Sequence, residues 1–329
     1  MKQLHFLVMG TGVIGQAYGL HLQMAGHRVT FLTREKYLDR FKREGITLYC
    51  IGAGVKPFCT KKIEAMESQF VTELTSLEGV DYVFACFRGD QREETARILE
   101  ALAPKEVAKP GLVLCFPFWS NSDVEFVRRF KHSYSMLPGI SGVYRSEGKT
   151  DALHPHIYRS TTRLSPLVNP SLDEIHKLTS LLTKAGLPTI YMPNLLTVMD
   201  IIMAASFPFF AALSTRDYKA SALKDRKLTE LAFRAQKECL EIVEQGGTPI
   251  GLVGKFLHYM PVPVMTSLVS ASAFLIRGLI REMLEVHFKK VHSQTIFLLK
   301  ELAAFPFADK VKKENLEKIL AIVNHCLIA

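Results

Sequence analysis

Leu4 to Gly15 reads LHFLVMGTGVIG, an apolar strand followed by a glycine-spaced turn and a helix-like continuation through Gln16 to Ala25. In the Gly10-Thr11-Gly12-Val13-Ile14-Gly15 turn, Gly10 permits the tight reversal and Gly12 lets a pyrophosphate approach the backbone. Gly15 then allows helix and strand to pack closely. Main-chain amides at the helix start are donors for the phosphates, so the stretch is expected to bind a dinucleotide. A purely structural glycine turn is the alternative.

The second strand, Arg28 to Leu32, ends at Thr33-Arg34-Glu35-Lys36. A protein specific for NAD usually places an acidic residue there against the ribose hydroxyls. Arg34 instead points to NADP: a guanidinium on a 2′-phosphate makes charge-assisted hydrogen bonds worth about 1.5–3 kcal/mol. Glu35 has two readings, a ribose acceptor or a solvated acid in the first turn of a helix.

Outward from this unit, short apolar strands alternate with helical stretches. Strands are expected near 4–9, 28–32, 46–51, 81–86 and 111–116, and helices near 15–25, 36–44 and 91–102. That alternation predicts a doubly wound parallel sheet, Rossmann-like, with segments near 134–145 and 156–164 extending it. After Pro166 and Pro170 long helices take over, so the chain divides into an α/β domain over 1–165 and an all-α domain over 166–329. Ser171 to Ala185 is expected to be an amphipathic helix that starts with a Ser-x-x-Glu capping box at Ser171 and Glu174 and stops at Gly186. Leu195 to Leu213 is apolar on every side, as in a fully buried helix, and 220–245 and 278–303 are long charged amphipathic helices.

A chain of 329 residues with 48% hydrophobic and 22% charged residues is an ordinary globular protein. Its net charge of +9 suits anionic ligands, and with no Lys/Arg cluster interleaved with aromatics, nucleic acid is not expected as a partner. The six cysteines have no CxxC spacing and read as buried thiols of a reducing compartment; no zinc ligand set is spaced among them or the histidines. The first strand begins at once, which predicts a cytoplasmic protein with no signal peptide. Phe256 to Ile276 carries no Asp, Glu, Lys or Arg. Its prolines argue against a membrane span and for a buried interdomain or homodimer segment.

The order of these pieces resembles the ketopantoate reductase family, PanE/ApbA type. The resemblance rests on GTGVIG, the strand ending in Arg34, FKREGITL at Phe41 to Leu48, and Asp81 to Arg88. In the second half it rests on Lys184-Ala185-Gly186-Leu187, the apolar helix, and Arg234 to Pro249 with Glu238 and Gly247. It implies a dinucleotide-binding half and a helical half like that of 6-phosphogluconate dehydrogenase, passing hydride from NADPH to a 2-oxo acid. Phe87 and Arg88 then fall beside the cofactor, with Arg88 where the family has lysine. Phe116-Pro117-Phe118-Trp119-Ser120-Asn121 replaces an Asn-Gly turn, and Met199 and Met203 fall where the family has its lysine acid and an asparagine.

A carbonyl reduction needs a proton donor, and neither methionine can be one. Asp200 stands alone in an apolar helix, either a cleft acid with a raised pKa or a wet-edge residue. Glu285 and His292, seven apart, share a helix face, and Arg277 and Arg281 lie near; Arg281 with Glu285 has the spacing of a surface ion pair. Phe116, Phe118 and Trp119, with Phe207, Phe209 and Phe210, line a pocket or pack a core; a pocket would suit a small-molecule substrate with an apolar part, and Arg277 and Arg281 an anionic one. Three functions fit: an NADPH-dependent oxidoreductase, a nucleotide-binding regulatory module without turnover, and opine-dehydrogenase-like chemistry on an imine.

Overall fold

The computed structural model describes residues 2–51, 57–63, 69–102, 110–115, 127, 130–146, 153–168, 171–273, 281, 283–305 and 307–328. Among the aromatic and basic candidates, Phe116, Phe118, Trp119 and Arg277 lie outside them. Two compact units result, Met1–Leu195 and Leu196–Ala329. The boundary expected at residue 165 falls later, because the helix Leu172–Lys184 and the strand Thr189–Tyr191 pack on the first sheet.

In the first unit the strands are β1 (His5–Met9), β2 (Arg28–Leu32), β3 (Ile46–Ile51), β4 (Pro57–Ile63), β5 (Phe70–Val71), β6 (Tyr82–Ala85), β7 (Gly111–Leu114), β8 (His132–Leu137), β9 (Ile140–Ser146), β10 (Leu153–Arg159), β11 (Thr162–Val168) and β12 (Thr189–Tyr191). Its helices are α1 (Val13–Met24), α2 (Glu35–Glu44), α3 (Arg92–Leu102) and α4 (Leu172–Lys184). An eight-stranded sheet runs β12-β11-β8-β7-β6-β1-β2-β5. It is parallel from β5 to β8, and β11 joins β8 antiparallel. β1, β6 and β7 are buried almost throughout, as strands covered on both faces must be.

The third strand departs from expectation. β3 leaves the parallel sheet and joins a second one, β4-β3-β10-β9, pairing antiparallel with β4. Its side chains alternate, with Ile46, Leu48 and Cys50 inside and Thr47 and Tyr49 half-exposed. That is the pattern of a strand with one wet face. The place beside β2 goes to β5, whose Phe70 stacks between Phe31 and Phe41 with both ring centroids at 5.2 Å. Each segment expected to extend the sheet instead splits: β8 and β11 extend it, while β9 and β10 turn into the smaller sheet. α1 packs against strands of both sheets.

The second unit contains α5 (Leu195–Ser214), α6 (Arg226–Gln245), α7 (Gly251–Tyr259), α8 (Val262–Ser272), α9 (His292–Ala303) and α10 (Glu314–Ile328). Asp225 accepts from the Leu228 amide and starts α6, which breaks the single helix expected over 220–245. A π-helical stretch, Met283–Phe288, likewise interrupts the helix expected over 278–303. α5 is long and apolar enough to cross a membrane by length and composition, with mean hydropathy 1.9. It is not buried on all sides within the chain, since Ile202 is 45% exposed.

Glu238 on α6 is almost fully buried and accepts from the amides of Asn315 at 3.0 Å and Leu316 at 2.7 Å, so one helix caps the start of another. The apolar stretch from Phe256 is two helices broken at Pro261, not one. Nor is it buried throughout: Val262, Met265 and Thr266 are buried, whereas Phe256, Tyr259 and Leu268, with Leu252 just before them, are 60–89% exposed and leave an apolar stripe on α7 and α8.

Candidate functional site: a glycine turn at the sheet's switch point

β1 lies between β2 and β6; the chain runs outward from β1 to β2 and β5 and then crosses back to β6 on the other side, so a crevice opens at the carboxyl ends of these strands. The glycine turn fills that position. Gly10 has φ +95°, and a Cβ there would stand 3.0 Å from the Cys86 carbonyl oxygen. Its amide donates to the Leu32 carbonyl at 3.1 Å, and the Cys86 amide donates to Met9 at 2.9 Å. A Cβ on Gly15 would meet the Gly10 carbonyl oxygen at 1.9 Å, so only glycine lets α1 start this close to the turn.

Gly12 is different: a Cβ there would meet nothing within 4 Å. It is the N-cap of α1, with no side-chain cap and no acidic residue in the first turn. The first helical bond is from the Gln16 amide to Gly12 at 2.9 Å, which leaves the amides of Val13, Ile14 and Gly15 for an outside acceptor. Open space, free donors and the positive helix end together fit a dinucleotide diphosphate.

The turn is braced by residues that sequence reasoning missed. Gln16 Nε2 donates to the Thr11 carbonyl at 2.8 Å and to the Tyr144 hydroxyl at 2.9 Å. Tyr144 comes from β9 of the smaller sheet, and burial pushes its phenol up to about 12. Thr11 and Thr33 share a hydroxyl–hydroxyl bond of 2.7 Å, so Thr33 fastens the turn to the end of β2. A polar Gln16 at the start of a buried helix was the available signal; Tyr144 had none, because β9 is distant in sequence.

Arg34 is the N-cap residue of α2, exposed just past the carboxyl end of β2. Glu35 is exposed beside it in the first turn of α2. Phe87 lies against the turn, its Cδ1 3.7 Å from the Cβ position of Gly10. Arg88 is drawn to Asp90, with Nη2 3.0 Å from Oδ2.

In the second unit, Asp200 is half-buried on α5, and burial raises its carboxyl to about 7 against the pull of a hydrogen bond with Thr248. Met199 and Met203 are buried. The structure gives Glu285 and His292 separate partners: Glu285 accepts from Arg281 Nε at 3.0 Å and from the Ala220 amide at 3.3 Å. His292 Nδ1 shares a 2.8 Å bond with the Tyr218 hydroxyl. The π-helical stretch between them changes the spacing that was to place them on one face. Asp217 and Tyr218 both have positive φ, 54° and 57°, the only such non-glycine residues among those described. Phe209 packs on Phe233 at 5.5 Å and Phe210 stacks on Phe288 at 3.5 Å, so both belong to the core.

A glycine turn at the switch point of a mainly parallel sheet, followed by a helical unit, defines a Rossmann-like α/β protein with an α-helical second half. Residues 6–109 match the family model described as ketopantoate reductase PanE/ApbA. No curated protein matches the chain. Among solved structures, 2-dehydropantoate 2-reductase from Geobacter metallireducens GS-15 is similar over 98% of this chain and 100% of its own, at 12% identity and TM-score 0.68. A putative ketopantoate reductase from Ralstonia solanacearum MolK2 is similar over 98% of both chains, at 14% identity and TM-score 0.67. So is a D-mandelate dehydrogenase with NADH and anilino(oxo)acetate, over 98% of both chains, at 14% identity and TM-score 0.65. At such identities the likeness is one of fold.

Proposed function

We propose that the chain is an NADPH-dependent oxidoreductase that reduces the carbonyl of a 2-oxo acid-like small molecule. The observation that carries this is the open Gly12 corner beneath the free amides of Val13, Ile14 and Gly15. In this reading the Gly10–Gly15 turn holds the diphosphate, and Thr33 and Arg34 hold the adenosine ribose and its 2′-phosphate. Phe87 shields the turn, and Arg88 supplies positive charge beside it. A reduced nicotinamide, when bound, supplies the hydride. Asp200 then holds the proton for the developing alkoxide, since its raised carboxyl is partly protonated at neutral pH. Glu285 and His292 act as a reserve of acid–base groups whose release from Arg281 and Tyr218 would be needed first. A substrate that is anionic, or has an apolar part, suits the basic chain.

Calorimetry with NADPH and NADH, followed by NADPH oxidation with a panel of 2-oxo acids, aldehydes and imines, tests the proposal. Absence of heat with both nucleotides refutes it. A second reading, a nucleotide-binding module without turnover, is favoured by one observation: Met199 and Met203, at the positions the resemblance gives to a lysine and an asparagine, are buried and carry no proton. Tight NADPH binding with no oxidation by any substrate would select it. The exposed stripe of α7 and α8 has no acidic residue, and a second copy of the chain is its proposed cover. Sedimentation of Phe256→Glu against the parent chain tests that: the variant is expected to sediment as the smaller species.

A further inference from the structure

Two thiols meet directly behind the glycine turn. Cys86 follows the last residue of β6 and Cys115 follows the last residue of β7, one step beyond the Ala85–Leu114 pair. Their sulfurs are 3.5 Å apart. The Cys86 amide is held by Met9 and the Cys115 amide by Ala85, at 2.9 and 3.1 Å, which keeps the two strand ends side by side. Adjacent parallel strands are about 4.8 Å apart, inside the roughly 4.4–6.8 Å that separates Cα atoms across a disulfide. Cys115 is buried, whereas Cys86 is partly exposed, so one sulfur is open to a small oxidant and the other waits behind it.

We propose that Cys86 and Cys115 form an oxidisable pair that a hydroperoxide converts into a disulfide, loosening the grip on the nucleotide. The peroxide transfers one oxygen to Cys86 Sγ, giving a sulfenic acid and, from hydrogen peroxide, water; the sulfur loses two electrons and the peroxide gains them. Cys115 Sγ then attacks Cys86 Sγ, the S–O bond breaks as the S–S bond forms, and the departing hydroxide leaves as water with the Cys115 proton. Burial pushes the Cys115 thiol up, which slows this second step.

The link to the site is steric. Closing the sulfurs to about 2.05 Å draws Cys86 toward β7, and the Cys86 carbonyl and the Phe87 ring are the groups packed at the Gly10 corner, 3.0 and 3.7 Å from its Cβ position. This consequence rests on the nucleotide reading above; formation of the bond does not.

The full-length chain, reduced and then titrated with hydrogen peroxide, is alkylated and analysed by peptide mass, with NADPH affinity measured before and after. The expected result is a peptide pair joined through Cys86 and Cys115, reversed by dithiothreitol. NADPH affinity should fall about tenfold and recover on reduction, and Cys86→Ser should neither form the link nor lose affinity with peroxide. Sulfinic acid at Cys86 beside an unmodified Cys115, or a link at another pair, overturns the proposal. A linked chain that binds NADPH as the reduced one does overturns the control of binding. If the reduced chain binds no nicotinamide nucleotide, it is the nucleotide reading that falls, and the mass measurement still decides the thiol pair.

Discussion

Replacing Asp200 by asparagine removes the one carboxyl on the apolar helix α5 while keeping an oxygen for Thr248. The folded chain holds that carboxyl at about 7, against an ordinary value of 3.8, because burial disfavours the charge. Between these values the folded state binds more protons than the unfolded one, so stability falls as pH rises from 3.8 and levels off above about 7. At about 1.36 kcal/mol per pKa unit, the loss has an upper bound near ~4 kcal/mol, and the partial exposure of Asp200 reduces it to about 2–3 kcal/mol. Asparagine does not titrate. Urea unfolding at a series of pH values should therefore find Asp200→Asn equal to the parent near pH 4 and more stable by about 2–3 kcal/mol at pH 8. A constant difference across that range, or a variant less stable at pH 8, would refute the burial argument. Under the proposed function the same substitution lowers turnover without weakening NADPH.

Arg34→Ala is expected to weaken NADPH by roughly ten- to a hundredfold with little change for NADH; equal losses in calorimetry would sink the 2′-phosphate role. Gly12→Ala should fold with stability within about 1 kcal/mol of the parent, since its Cβ meets nothing, yet bind nucleotide poorly. Gly15→Ala should instead lower the melting temperature, because its Cβ would overlap the Gly10 carbonyl. Thermal melts with and without NADPH separate the two. Glu238→Ala strands the amides of Asn315 and Leu316 and should cost about 3 kcal/mol in chemical unfolding.

The parts of the fold that could be read in advance were those whose cause is local. The β1–turn–α1 unit, the capping box at Ser171 and the Arg281–Glu285 pair depend on residues within a turn or two of each other, and all three are present. Non-local pairing was harder to read. The route of β3 into a second sheet depends on β10, about a hundred residues away, although its alternating Ile46, Leu48 and Cys50 carried the clue. β5 is a two-residue strand with no periodicity to detect. In the second half, a helical pattern over 278–303 could not reveal the π-helical stretch Met283–Phe288. Nor could the spacing of Glu285 and His292, read as one shared helix face, reveal their contacts with Ala220 and Tyr218.

The carboxylate that joins α6 to α10 bears on how the chain is synthesised. Glu238 leaves the ribosome well before residues 315 and 316, the amides that satisfy it. Until those residues emerge, a helix that docks its inner face also buries an unanswered charge, which opposes docking by several kcal/mol. During translation, then, the helical unit should stay loosely assembled and within reach of chaperones, and its closure should wait until residues 315 and 316 have emerged.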